Sequence, residues 1–301
     1  MKKTQGAAAI LLLCAVLLCS CGLGKAEQPL PSAVPLSEPE ASAASEHTEV
    51  RIYFDGLLSD RGIYENDTLY MAPEALCNYF GLENSTELNE DGFSFSVPDM
   101  VLAGSRGREY MEAEHRYLYA PQGWISEKGR VYLPQDVIER IFGIKFEFDP
   151  DRLEAQLAAN VLNLLRGGED YYDRNFPSED LYWLSRIIYA EARDQPLAGL
   201  IAVGNVVLNR VECDYFPHTV IDVIYDRDGT IQFDPAAAGA LGEPDDISVI
   251  AACLCLEGYN TAGDCMYFVN PDSGDAVWFD KELEFVMSIG DHDFYRSRDD
   301  A

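Results

Sequence analysis

The chain has 301 residues, 48% of them apolar, and its 52 acidic against 22 basic side chains give a formal net charge of −30. That length accommodates two ordinary domains with a leader, and the composition is globular over most of it. A charge this negative repels phosphate and lacks the Lys/Arg contacts that nucleic-acid binding depends on, which argues against nucleic acid as a partner.

Lys2 and Lys3 precede an apolar stretch from Ala7 to Cys19. The stretch is shorter than the roughly 20 residues that span a bilayer and has the layout of a secretory signal peptide. Its end, Leu18-Cys19-Ser20-Cys21, resembles a bacterial lipobox. The resemblance implies that residues 1–20 are removed and that Cys21 carries a lipid, anchoring the protein outside the cytoplasm on the membrane face toward the cell wall. Secretion with an unrelated cysteine is the alternative. Residues 21–48 are rich in Pro, Ala, Ser and Glu without apolar periodicity and read as a disordered tether.

Beyond the anchor, Cys77, Cys213, Cys253, Cys255 and Cys265 remain. No CxxC pair or His-rich spacing accompanies them, so no metal site is expected. Cys253 and Cys255 lie in the apolar run Ile250 to Leu256 and read as small buried hydrophobes. A Cys213–Cys265 disulfide is compatible with an oxidising compartment.

Between residues 49 and 157 the sequence repeats itself. Leu69-Tyr70-Met71 through Leu82 aligns without gaps on Val131-Tyr132-Leu133 through Ile144, an offset of 62 residues. Each copy predicts a short strand, a proline, an amphipathic helix and a glycine stop, Gly81 or Gly143. The alternation Lys145-Phe146-Glu147-Phe148-Asp149 predicts a further half-buried strand. The pattern resembles the copper amine oxidase N-terminal-like (stalk) domain. No copper is implied, because His115 is the one histidine between residues 49 and 157 and no cluster of His or Cys ligands occurs there. Tyr110, Tyr117, Tyr119 and Trp124 are either sugar-stacking or core aromatics. Residues 158–177 then shift to Gly, Asp, Asn and Pro and read as a linker between independent cores.

A second unit is expected over 178–297. Ser178 is placed to cap a helix whose first turn holds Glu179 and Asp180 and which runs through Leu181 to about Arg193. At about 100° per residue from Leu181, Leu184, Ile187 and Ile188 fall on one arc, with Glu191 inside it at about −80° and Arg186 and Arg193 opposite. Burial favours the protonated form of a carboxyl, the state a general acid needs. On helix geometry alone, the reading of a Glu that caps a neighbouring backbone group or pairs with an Arg stays open. The run Leu200 to Leu208 predicts a buried central helix too short for a membrane span.

Ile187-Ile188-Tyr189-Ala190-Glu191-Ala192-Arg193 and Gly199 through Val211, with Phe216-Pro217, Gln232-Phe233, Met266 through Pro271, Trp278 and Ile289 through Tyr295 in order after them, resemble the SleB-type cell wall hydrolase family. The resemblance covers residues 181–296. It implies a lysozyme-like fold, lytic transglycosylase activity on peptidoglycan glycan strands, and Glu191 as the catalyst. Tyr189, Asn209, Gln232, Phe233, Tyr267, Asn270 and Trp278 are the candidate substrate-binding residues, with Asn209, Phe233 and Trp278 also open to purely structural roles. The chain departs from the family pattern at Asp194-Gln195, where Gly-Glu is common, and at Ile231. These departures keep open a non-catalytic wall-binding protein and a hydrolytic muramidase or glucosaminidase, the latter with Asp214 or Asp234 as second carboxylate. No GxxxxGK[ST], HExxH or GxSxG motif occurs, and no cofactor is implied.

The fold class expected is therefore α+β, a mostly helical lysozyme-like catalytic domain behind a two-repeat α+β stalk. If Cys21 carries the lipid, Cys21→Ser will release the protein from membranes or leave it unprocessed. Membrane retention with normal processing of that variant would rule the anchor out.

Overall fold

The computed structural model describes residues 47–158, 161–166, 176–227, 233, 239, 241–273 and 276–298. The predicted signal peptide and Cys21, most of the tether and part of the predicted linker lie outside them. All the described residues fall within one compact unit. The chain is α+β, and its first half is mostly strands.

Strands β1 (Thr48–Phe54), β2 (Leu57–Glu65) and β3 (Thr68–Met71) lead into helix α1 (Pro73–Phe80). A meander follows: β4 (Ser85–Leu88), β5 (Gly92–Val97), β6 (Met100–Ser105), β7 (Tyr110–Ala113) and β8 (Arg116–Tyr119). Strands β9 (Ile125–Glu127) and β10 (Arg130–Pro134) then lead into α2 (Gln135–Phe142), and β11 (Phe146–Asp149) and β12 (Glu154–Leu157) close the N-terminal module. The meander is a five-stranded antiparallel sheet, and the other strands form a seven-stranded sheet in the order β11-β12-β1-β2-β3-β10-β9. Its first strand is held by its last, β1 lying parallel to β12 with Ile52 opposite Ala155.

The sequence repeat becomes β3–α1 and β10–α2. Its two strands are antiparallel neighbours, and the equivalent residues Met71 and Leu133 face one another. The copies are thus related by a local two-fold passing between those side chains. Both helices end on a left-handed glycine, Gly81 at φ 69° and Gly143 at φ 64°, the conformation that glycine adopts without steric cost. A Cβ on Gly143 would also lie 2.5 Å from the Asn163 carbonyl oxygen.

The C-terminal unit is built on helices. They are α3 (Ser178–Ala192), α4 (Leu197–Glu212), α5 (Val220–Ile224), α6 (Asp246–Leu256) and α7 (Ala276–Glu282), with β13 (Tyr267–Val269), β14 (Glu284–Ile289) and β15 (His292–Arg296) forming a small antiparallel sheet in the order β13-β15-β14. The predicted cap at Ser178 is displaced by one residue. Extended Pro177 is the N-cap, without a side-chain hydrogen bond, and Ser178 is already helical. Helices α3 and α6 close on α4 at Gly204, where a Cβ would stand 2.6 Å from Cys255 Sγ and 2.9 Å from Ile188 Cδ1. The run Leu200 to Val207 is buried, as its apolar sequence predicts. Among the described residues no helix is long and apolar enough to cross a membrane.

The cysteines of the two halves stand as free thiols, so the Cys213–Cys265 disulfide considered from sequence is absent. Cys265 is buried against the second core, whereas Cys213 is partly exposed at the end of α4. Burial pushes the Cys265 thiol up to about 11.

Each half has its own cluster of buried side chains, and the contact between them is both apolar and ionic. Tyr110, Tyr117 and Tyr119 of the β7–β8 hairpin pack on the C-terminal core. At the end of α6 the Glu257 side chain, 7% exposed, accepts from Arg116 Nη2 at 2.9 Å and Nε at 3.2 Å. Arg140 donates to the Glu257 backbone oxygen and lies 4.3 Å from the centroid of the Tyr259 ring. Two cations thus meet the negative end of α6. Glu257→Gln keeps the shape and removes the charge, so urea unfolding is expected to report a loss of about 1.5–3 kcal/mol. A loss under about 0.5 kcal/mol would mean that the Glu257 carboxylate is not what joins the halves.

Candidate active site

Helix α3 carries Glu191 in its last turn. The helix buries Leu181, Leu184, Ile187, Ile188 and Ala192, and Glu191 itself is half-buried with its Oε1 shielded from solvent. Tyr189, on the same helix, is half-buried beneath the Arg193 guanidinium, 5.7 Å from its ring centroid. Arg193 is exposed, as expected, but Arg186 is buried. Its guanidinium lies 3.7 Å from the Tyr182 ring centroid and Nη2 donates to Glu243 Oε2 at 2.6 Å. The chain leading into α6 covers that side of α3, with Gly242 beside the Tyr189 ring. A single-helix projection has no means of anticipating this cover.

Gln195, where the family pattern commonly has Glu, ties the α3–α4 turn to the β14–β15 turn. Its Oε1 accepts from the Asp291 backbone N–H at 2.7 Å and its Nε2 donates to Asp291 Oδ2 at 3.3 Å. An ionised Glu would set two carboxylates against each other there, so the amide suits an aspartate at 291.

On α4, three polar side chains interrupt the apolar surface and reach one loop. Asn205 donates to Tyr259 O at 2.9 Å and accepts from Thr261 N–H at 2.9 Å. Asn209 Nδ2 donates to Gly263 O at 2.9 Å and Cys265 O at 2.8 Å. Arg210 Nε donates to Met266 O at 2.7 Å. Asn209 therefore carries a structural load at this position, and Asn205 and Arg210 share it. The signal for Asn205 was present in the sequence, as a polar residue one helical turn before Asn209 within an otherwise apolar run.

Arg210 is the centre of an aromatic cluster. Its guanidinium carbon stands 5.0, 5.3 and 5.2 Å from the ring centroids of Phe216, Phe233 and Tyr267. Burial pulls its pKa down to about 10, against the opposing influence of Tyr267 and Asp226. The side chain stays cationic at neutral pH and holds the three rings by cation–π attraction.

The structure thus gathers Asn209, Phe233 and Tyr267 around Arg210, with Phe233 buried and Tyr267 half-buried. Asn270, beyond β13, is exposed and folds its own turn, its Oδ1 accepting from Asp272 N–H at 2.9 Å. Trp278, on α7, is 53% exposed beside Phe279. Gln232 and Asp234 lie outside the described residues. Asp214 is exposed just past α4. Among the described residues no three His, Cys, Asp or Glu side chains converge as metal ligands.

Residues 194–295 match a family described as Cell Wall Hydrolase, a match that begins three residues after Glu191. Over 122 residues the chain is 30% identical to the spore cortex-lytic enzyme of Oceanobacillus iheyensis, covering 40% of this chain and 43% of the relative. Over 120 residues it is 28% identical to the spore cortex-lytic enzyme of Bacillus subtilis, covering 40% and 38%. The match thus spans less than half the length of these relatives. Among solved structures, the chain is similar to the catalytic domain of the germination-specific lytic transglycosylase SleB from Bacillus anthracis at 28% identity, covering 40% of this chain and 98% of that one with a TM-score of 0.37. The catalytic domain of the Bacillus cereus SleB protein aligns at 30% identity and the same TM-score, covering 43% and 100%.

His292 opens β15, with its ring centroid 5.2 Å from that of Phe268 on the neighbouring strand. Burial holds its pKa below the ordinary imidazole value, with Asp291 and Asp293 opposing. The unfolded chain therefore takes up the proton first. The stability that His292 contributes is complete above about pH 6.5 and is lost as the pH falls from there through its folded-state pKa. Melting temperatures from pH 7.5 to 5 should fall more steeply for the wild type than for His292→Phe; parallel curves would exclude His292 as the source.

Proposed function

We propose that residues 178–297 cleave the glycan strands of peptidoglycan as a lysozyme-like lytic transglycosylase, with Glu191 as acid and then base. The observation that carries this reading is the position of Glu191, a half-buried carboxyl with one shielded oxygen at the end of an apolar helix. The segment that follows it matches the cell wall hydrolases. The lytic transglycosylase activity of the similar Bacillus anthracis SleB domain is in line with a one-carboxylate mechanism.

In that mechanism Glu191 gives its proton to the glycosidic oxygen as the bond to C1 of the muramic acid breaks. The resulting carboxylate takes the proton of that sugar's 6-hydroxyl as the oxygen attacks C1. The product is a 1,6-anhydro end. The substrate's N-acetyl oxygen supports the oxocarbenium-like centre meanwhile, as in substrate-assisted glycosidases. Tyr267 and Trp278 offer rings to sugar faces, and Tyr189 lies one residue before Ala190 on the helix of the catalyst. Asn270 and Gln232 complete the proposed substrate contacts, with Asn209 and Phe233 supporting them from below. A hydrolase would need a second carboxylate about 5–9.5 Å from the first; of the two candidates, Asp214 is exposed just past α4.

The same reading extends to the rest of the chain. Cys21 is the lipid anchor, residues 21–48 are the tether, and residues 49–157 are a stalk-like module that holds the catalytic unit toward the wall from the outer face of the membrane.

Glu191→Gln preserves shape but transfers no proton, so the yield of anhydro-muropeptides from purified sacculi should fall by about 10²–10⁴-fold with the melting temperature unchanged or raised. Asp214→Asn and Asp234→Asn should have smaller effects. A folded Glu191→Gln protein with near-normal yield would end this assignment, and reducing ends in place of anhydro ends would transfer it to a hydrolase.

A further inference from the structure

The N-terminal module has a cleft of about 320 Å³ between the β6–β7 turn and the turn that follows β8. Arg106, Arg108, Glu109, Pro121, Gln122 and Trp124 contribute to its walls. Pockets of this size begin the range that takes small ligands. Two guanidinium groups here share one small cleft in a chain whose net charge is −30.

Arg106 is set in place by three contacts. Its Nε donates to Glu90 O at 3.0 Å, its Nη2 to Ser126 Oγ at 3.2 Å, and its guanidinium carbon stands 4.6 Å from the Trp124 ring centroid. Phe93 braces Trp124 edge-on, with ring centroids 4.9 Å apart. The Arg108 side chain makes no hydrogen bond or ion pair among the described residues, and its guanidinium carbon stands 6.0 Å from the Tyr110 ring centroid. The cleft therefore presents one preorganised cation and one uncommitted cation. Glu109, the carboxylate on its wall, leaves a net charge of +1 among these lining residues. That balance suits a ligand with a single negative charge better than a dianion or a polyphosphate. Pro121 and Trp124 add apolar surface and Gln122 adds an amide, a combination that suits a sugar ring with its C–H face and hydroxyls.

The walls are fixed to each other and to the C-terminal unit. Ala120 N–H donates to Glu109 O at 2.8 Å and Arg106 N–H to Asp91 O at 2.8 Å. The strands between the two turns, β7 and β8, bear the tyrosines that pack on the C-terminal core.

We propose that this cleft is a second glycan-contact site, which takes a sugar bearing one free carboxylate. The choice of N-acetylmuramic acid without its peptide as that sugar rests on the peptidoglycan reading above. The carboxylate meets Arg106 and Arg108, and the ring lies against Pro121 and Trp124. Because β7 and β8 are docked, a strand held here is also held in register with the C-terminal unit. The reaction that must supply such a ligand is hydrolysis of the amide joining the lactyl group to the peptide.

The test is titration of the full chain with N-acetylmuramic acid and with N-acetylglucosamine, which differ by the lactyl carboxylate. Binding is followed by tryptophan fluorescence and by NMR perturbation of the sugar. N-acetylmuramic acid should bind more tightly than N-acetylglucosamine. Arg108→Gln, which removes no contact that holds the fold, should weaken the former by about three- to tenfold and leave the latter unchanged. Trp124→Phe should abolish the part of the fluorescence response that Arg108→Gln weakens. Equal affinity for the two sugars, or an Arg108→Gln variant that binds N-acetylmuramic acid like the wild type, would overturn the proposal. A monosaccharide has no glycosidic bond to cleave, so this result is independent of Glu191. Absence of cleavage by the wild-type protein with Arg108-dependent binding intact would remove the catalytic reading and keep this site.

Discussion

Three polar side chains on a buried helix govern how the C-terminal unit is put together. Asn205, Asn209 and Arg210 sit on α4 where water does not reach freely, and a polar group so placed must be paired or it destabilises the fold. Their partners are the backbone groups at Tyr259, Thr261, Gly263, Cys265 and Met266. The helix therefore dictates the path of an irregular loop, and the loop delivers Tyr267 onto the Arg210 guanidinium at the start of β13. From β13 the order passes through β15 and β14 to Asp291, and Gln195 returns it to the turn just after Glu191. Each link holds the next, so the candidate catalyst and the aromatic cluster belong to one connected framework.

What was legible in the sequence follows from how local each cause is. The repeat, its prolines and its glycine stops announce β3–α1 and β10–α2 because a left-handed cap and a helix-start proline act within a few residues. Helix α4 is equally plain, since a long, mostly apolar run bounded by Pro196 and a charged end admits few alternatives. Arg186 was assigned to the exposed side because its cover, the segment around Gly242 and Glu243, is about fifty residues away in the chain and carries no periodic signature. The same holds for Arg210, whose aromatic partners come from three separate segments. Gln195 looked like the loss of a carboxylate until Asp291 supplied the reason for an amide.

The two halves join at the end of α6, where Arg116 and Arg140 approach Glu257 and the terminal carbonyls of the helix. This gives the strand-rich half a part in the C-terminal architecture, because the loop ordered by α4 begins just beyond Glu257. The tyrosines of β7 and β8 that looked like either sugar platforms or core from sequence are packing residues, but of the neighbouring unit's core. Trp124, from the same set, packs against the N-terminal core and also lines the arginine cleft.

The parallel pairing of β1 with β12 has a consequence for the order in which the chain folds. A strand from the beginning of the module stays unpaired on one edge until residues 154–157 arrive to cover it. Contacts so distant in sequence form late, since the intervening chain must first be closed into a loop. While the polypeptide emerges from its N-terminus, β1 can pair with β2 alone, leaving a row of open backbone groups of the kind that recruits other chains. The module is complete only after its last strand appears, and the halves can dock only after α6 follows.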